Sequence, residues 1–171
     1  NARIVVEQGG DYVFALKENQ PTLYEEVAKT YETGLADDFK SIKHEVFKTQ
    51  NKSHGRIETR RHILITDPHY LDYFNREERW WQLGAIGIVE RTRQLRDKLE
   101  YKVHFFVTSL TGNVLKFADA VRRHWSIENN LHWVLDIAFD EDHSRARTAF
   151  EAENLTVLPH TALNMLKRET S

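Results

Sequence analysis

Between Gly112 and Asp140 the chain contains no glycine and no proline, so one long helix is the simplest structure that stretch can adopt. Stepping about 100° per residue from Glu128 brings Phe117, Val121, Trp125, Leu131, Leu135 and Phe139 within about 60° of it, with His124 and His132 in the same sector. Glu128 therefore projects from the face that docks on the rest of the fold. Burial penalises the ionised form of a carboxylate unless a cation, a metal ion or hydrogen-bond donors hold it. Two readings stay open at this point: a structural carboxylate paired with Arg122 or Arg123, and a functional one.

The upstream residues give the setting for that helix. Ala2 to Gln8 reads as a helix stopped by Gly9-Gly10, and Asp11 to Lys17 as a short apolar strand buried on both faces, which together are an α/β signature. Pro21 opens a second helix, Thr22 to Thr33, with Leu23, Val27 and Tyr31 at helical spacing and Gly34 as its stop. Phe39 to Lys48 and Arg56 to Thr66 are expected to pair as a hairpin across the turn Asn51 to Gly55. In the second arm His54, Arg56, Glu58, Arg60 and His62 share a face that reads as solvated. Asp72 to Arg79 is expected as a short helix or turn. Strands follow at Gly84 to Arg93 and Glu100 to Leu110, joined by a charged turn from Gln94 to Leu99, and a last helix uses Leu155, Leu158, Ala162, Met165 and Leu166.

Composition narrows the function classes. With 171 residues, 40% hydrophobic and 29% charged, the chain can bury an ordinary core. Having no cysteine, it can form neither a disulfide framework nor a thiolate metal site, which suits a cytoplasmic location. No apolar run has the length of a membrane span. A net charge of -2 means that any nucleic-acid binding depends on local basic patches.

His124, Glu128 and His132 are spaced four apart, which invites a zinc reading. A helix displaces residues by about 6 Å per four positions, so the outer pair is about 12 Å apart and cannot close on one ion. Magnesium suits a carboxylate better, but needs more than one, and Asp136, Asp140, Glu141 and Asp142 read as surface or structural acids. Basic and aromatic residues interleave at Arg56 to His62, at Arg91 to Lys102, and at Arg122-Arg123 with Trp125, a pattern that fits phosphate and base contacts as well as solvated faces.

The run from Arg123 to Asp142, with Trp125-Ser126-Ile127-Glu128-Asn129-Asn130-Leu131-His132-Trp133 at its centre, resembles the C-terminal signature of bacterial insertion-sequence transposases of the H-repeat-associated kind, in the Asp-Asp-Glu class. Gly9 to Gln20, His54 to Arg60 and Ala162 to Leu166 carry supporting similarity, so the resemblance covers nearly the whole chain. It implies an RNase H-like α/β fold in which two aspartates and one glutamate bind Mg2+ or Mn2+. Glu128 matches that glutamate, as catalytic and metal-binding residue. In the wider class a tyrosine, an arginine and a lysine flank the glutamate; here Val121, His124 and Leu135 stand in those places, so Arg122, Arg123 or His132 would have to substitute. Neither aspartate maps onto Asp11 or another residue of this chain.

The resemblance thus implies three segments: 1–36 as part of the core sheet, 37–111 as a β-rich insertion, and 112–171 as C-terminal helices carrying the glutamate. DNA is the expected partner, contacted by Arg56, Arg60, Arg91, Arg93, Arg122, Arg123, Trp125, His132, Arg145 and Arg147, with Trp80 or Trp81 as base-stacking candidates. Self-association into a homo-oligomer is also expected. The intact enzyme would cleave and join phosphodiesters at the element's ends, while this chain alone, lacking both aspartates, is expected to be inactive. The alternative is a non-catalytic remnant of a decayed element, acting only as a DNA-binding or interaction module.

Overall fold

The computed structural model describes residues 2–17, 20–53, 56–96 and 98–127. They form α1 (Ala2–Glu7), β1 (Val13–Leu16), α2 (Pro21–Asp37), β2 (His44–Ser53), β3 (Arg56–Ile65), α3 (Pro68–Phe74), β4 (Ala85–Leu95), β5 (Lys98–Thr108) and α4 (Val114–Ile127). The strands make a five-stranded sheet ordered β1-β5-β4-β3-β2, antiparallel at every pairing. The expected mixture of helices and strands is therefore present, around an antiparallel sheet. Among the described residues no helix is long and apolar enough to cross a membrane.

Side chains alternate between the two faces of the sheet. One face presents Ile63, Ile65, Ile86, Ile88, Phe105 and Val107 to α2 and α3, whose Val27, Tyr31 and Phe74 complete a buried cluster. Tyr24 and Tyr31 of α2 both meet Phe105 edge-on, with ring centroids 5.2 and 5.8 Å away. A polar network closes the end of this contact: the Tyr31 hydroxyl donates to the Glu90 carboxylate at 3.0 Å and shares a hydrogen bond with the Tyr101 hydroxyl. Burial and these two neighbours push the Tyr31 phenol far above its ordinary range.

The other face carries α4. Its buried residues Val114, Phe117, Ala118 and Val121 follow the helical spacing read from the sequence. Phe117 lies over Gly87, where a Cβ would overlap its ring, with Phe106 and His62 edge-on at 5.6 and 6.3 Å. The absence of a side chain at Gly87 is what lets the helix come this close.

Several sequence expectations are corrected. β1 lies at the edge of the sheet rather than within it, so only Leu16 of its residues is buried and Phe14 is 36% exposed. Gly34 does not end α2; it is a buried helical position where a Cβ would overlap the Phe39 ring, and the helix runs on until Asp38 takes a left-handed conformation. Asp38 and Phe39 both have positive φ, and the sharp reversal buries Phe39 completely, which delays β2 to His44. The helix expected at Asp72 to Arg79 lies earlier, because Asp67 accepts from the His69 amide as N-cap and Pro68 fits the first turn. The turn between β4 and β5 is tighter than expected, with β4 reaching Leu95 and β5 starting at Lys98. His62 is not on a solvated face: it is buried under α4, at 4% exposure.

Candidate nucleic-acid interface

The register of the sheet assembles the basic residues. Arg60 on β3 sits opposite Arg91 on β4, and Arg91 opposite Lys102 on β5. The next row is Glu58, Arg93 and Glu100, and the one beyond is Arg56, Leu95 and Lys98. Directly paired residues point to the same side of a sheet. Toward the opposite strand ends the same face continues through His62, Val89 and His104 to Leu64, Gly87 and Phe106, the rows beneath α4. The cations therefore share a face with α4 and lie beyond the rows on which its start packs.

Like charges directly opposite each other repel. Two carboxylates hold the rows together: Glu58 pairs with Arg60, and Glu100 reaches the Lys102 ammonium at 3.0 Å and the Arg91 guanidinium at 3.4 Å. The Lys102 hydrogen bond, with further help from Arg91 and Arg93, holds the Glu100 carboxyl below its usual range. Among the described residues of these rows the carboxylates Glu58 and Glu100 are outnumbered by Arg56, Arg60, Arg91, Arg93, Lys98 and Lys102. The Nε of Arg91 is buried without a hydrogen-bond partner in the structure. Lys98 and Lys102 are exposed.

At the other end of the face, the start of α4 is tied to both edges of the sheet. Asn113 caps it by accepting from the Lys116 amide at 2.9 Å, and Glu45 of β2 accepts from the Val114 amide at 3.1 Å. The Lys116 ammonium reaches Asp11, just ahead of β1, at 2.6 Å, and together with the Ser109 hydroxyl it keeps the Asp11 carboxyl below its ordinary range. Asp11 is thus engaged in positioning α4.

Of the residues expected to contact DNA, Arg56, Arg60, Arg91 and Arg93 are brought together on this face. Arg122 and Arg123 are exposed on α4, where Trp125 is partly buried, and Val121 is buried. Glu128, His132, Arg145 and Arg147 lie outside the described residues. Of the two tryptophans named as stacking candidates, Trp80 is partly buried and Trp81 is 41% exposed. Trp80 packs against the core beside Phe14, and its backbone is clamped by Asn75; Trp81 lies under the Arg3 guanidinium, 4.9 Å from the ring centroid. The run Arg91 to Lys102 read from the sequence contains Lys98, Glu100 and Lys102 with no contact assigned to any of them, and Glu58 is read there only as part of the Arg56 to His62 face; what the sequence does not give is the pairing of these carboxylates with the cations. The shared face itself was signalled by the alternation Lys98, Glu100, Lys102, His104, which has the period of a strand. Among the described residues no group of three or more histidines and acids is placed to hold a metal ion.

Comparison with known proteins agrees with the resemblance. Residues 2–165 match the family described as "Transposase DDE domain". Over 98% of this chain it is 32% identical to "Putative protein YbfL" of Escherichia coli K12 and 31% identical to "H repeat-associated putative transposase YhhI" of the same strain. "Putative transposase YncI" of Escherichia coli O157:H7 is 32% identical over 95% of the chain. The chain spans 41–44% of the length of these relatives. No solved structure matches. By the extent of its family match and of these similarities, the chain belongs to the DDE transposase family.

Proposed function

We propose that the chain is the C-terminal part of the catalytic region of a DNA transposase that cleaves and joins phosphodiesters at the ends of an insertion element. The observation that carries this reading is the family match across residues 2–165 together with the Trp125 to Trp133 signature, which begins on a helix seated in the sheet. Glu128 supplies one carboxylate to Mg2+ or Mn2+, and two aspartates from outside these residues complete the ligand set. The bound ion would supply activation of a water or a DNA 3′-hydroxyl. The chain's own part is to hold and orient. Phe117 over Gly87, the Asn113 cap and the ties to Glu45 and Asp11 set the start of α4, the helix on which the Trp125 signature begins.

The same reading assigns residues 1–36 to an RNase H-like core, 37–111 to an insertion and 112–171 to the helices that follow. The edge position of β1 supports it. Val13-Phe14-Ala15-Leu16 is a wholly apolar edge strand with no charged residue to discourage further pairing, and such an edge suits a neighbouring core strand. DNA is the partner, through Arg56, Arg60, Arg91, Arg93, Arg122, Arg123, Trp125, His132, Arg145 and Arg147, and several copies of the protein act together.

The test is strand cleavage and transfer by the full-length transposase. Glu128→Gln is expected to abolish metal-dependent activity and to leave DNA binding intact. Retained cleavage would overturn the assignment. The 171-residue chain alone is expected to be inactive with either metal; a Glu128-dependent nicking activity in it would show that its ligand set is complete without outside aspartates.

A further inference from the structure

We infer that the outer edge of β5, from Leu99 to Val103, is an interface with a second copy of this chain, the two β5 strands pairing antiparallel about a two-fold axis at Tyr101. This pairing rests on the register of the sheet and stands apart from the catalytic reading.

β5 outruns the strand beside it. β1 pairs only with Phe105 to Thr108, and after Leu16 the chain leaves through a turn in which the Gln20 amide donates to the Lys17 carbonyl. Along an antiparallel strand the backbone groups of successive residues point to opposite borders. The Thr108 carbonyl accepts from the Gly84 amide on the β4 side, and the Ser109 amide donates to the Tyr12 carbonyl on the β1 side. The register of β4 with β5 is unbroken from Thr108 to Lys98, so Leu99, Tyr101 and Val103 direct their amides and carbonyls to the β1 side. Among the described residues no backbone group pairs with them there. The side chains along this edge are open as well, Leu99 at 70% and Tyr101 at 53% exposure.

The residues of the edge are complementary to themselves. A second β5 centred on Tyr101 sets Leu99 opposite Val103 on one face and Glu100 opposite Lys102 on the other, each twice by symmetry. Leu99, Tyr101 and Val103 are the outward residues, so their three pairings exchange about six backbone hydrogen bonds. Neighbouring registers lose this match. Centred on Glu100, the pairing sets two glutamates face to face and Lys98 against Lys102; centred on Lys102, it opposes two lysines and sends Leu99 to Phe105, which Leu16 already holds. The far edge of the sheet is built the other way. From Phe47 to Ser53, β2 carries Lys48 and Lys52, both exposed, and no acid, charges of one sign that discourage a like strand.

The experiment is sedimentation velocity of the 171-residue chain over a concentration series. A short strand pair without a broad apolar area suits a dimer dissociating in about the micromolar range. Leu99→Pro removes an outward N–H and leaves the ladder to β4 intact, with thermal melting as the check on folding. It is expected to raise the dissociation constant at least about tenfold. Glu100→Lys and Lys102→Glu each bring like charges together across the axis and should weaken self-association. Mixed with each other, these two variants should form a heterodimer, because every facing pair then has opposite signs. A chain that stays monomeric throughout the series overturns the interface; slow exchange of the Leu99, Tyr101 and Val103 amides in that monomer would assign the edge to another segment of the same chain. Dimers indifferent to Leu99→Pro and to the charge variants overturn it by placing the contact elsewhere. Failure of the catalytic reading looks different: Glu128→Gln would retain cleavage in the full-length protein whatever these variants did to association.

Discussion

Ile63 to Ile65 and Arg56 to Arg61 belong to the same strand, yet the first segment is buried on both sides and the second is half-exposed throughout. β4 changes in step, from buried at Ala85 to Val89 to increasingly open beyond Glu90, and β5 makes the mirrored change toward Thr108. The boundary runs across the sheet along paired rows. Hydrogen bonding is continuous through it, so the backbone is one structure, while the side chains divide it into a packed half that holds α4 and a charged half. Packing and charge thus serve separate purposes in strands that neither could have formed alone.

The comparison breaks most sharply at Phe117. Phe117→Ala removes a fully buried ring from the notch at Gly87 and is expected to cost about 3–5 kcal/mol in urea unfolding. A loss below about 1 kcal/mol would mean that α4 is not part of the packed half. Asn113→Ala removes the cap of the same helix and is expected to cost about 1 kcal/mol by the same measurement.

His62 sits at the boundary and sharpens it through pH. Burial holds its imidazole below the ordinary value of 6.5; the nearby Arg60 charge acts in the same direction, and the Nδ1–H bond to the Phe47 carbonyl opposes both. The unfolded chain binds a proton near that ordinary value while the native state stays neutral. Stability is therefore expected to fall as pH drops through about 6.5 and to level off only below the lowered native value. His62→Gln should flatten this part of the pH profile, and an unchanged profile would show that the ring is not sealed beneath α4. The smallest effect is expected in the charged half: Lys98→Ala/Lys102→Ala, at two exposed positions, should change stability by no more than about 0.5 kcal/mol in urea unfolding.

Much of this division was legible in the residues. The hairpins showed in their alternation, and the spacing of Phe117 and Val121 marked the buried side of α4. What was hidden depends on contacts distant in sequence. Asp11 to Lys17 looks like a central strand because it is apolar, and only its pairing with β5, some ninety positions on, makes it an edge. Gly34 looks like a stop until Phe39 turns back over it. His62 continues the polar alternation of Arg56, Glu58 and Arg60, and nothing local announces that a ring from residue 117 will cover it. The charged array was visible as separate clusters, but its rows required the register. Glu128, the residue that carries the functional reading of the sequence, lies outside the described residues.

The two ties at the start of α4 have a consequence for the order of folding. Glu45 and Asp11 are 69 and 105 positions from their partners on the helix, and they belong to opposite borders of the sheet. Closing such long loops is slow, and it gains stability only after the intervening strands have paired. The first turn of α4 is therefore expected to be among the last parts to gain amide-exchange protection during refolding, after the β3–β4 and β4–β5 ladders. Early protection there would show that the helix docks before its borders exist. If the expected order holds, α4 is set in place only after the whole sheet has assembled correctly, so a misregistered chain would leave the helix on which the Trp125 signature begins undocked.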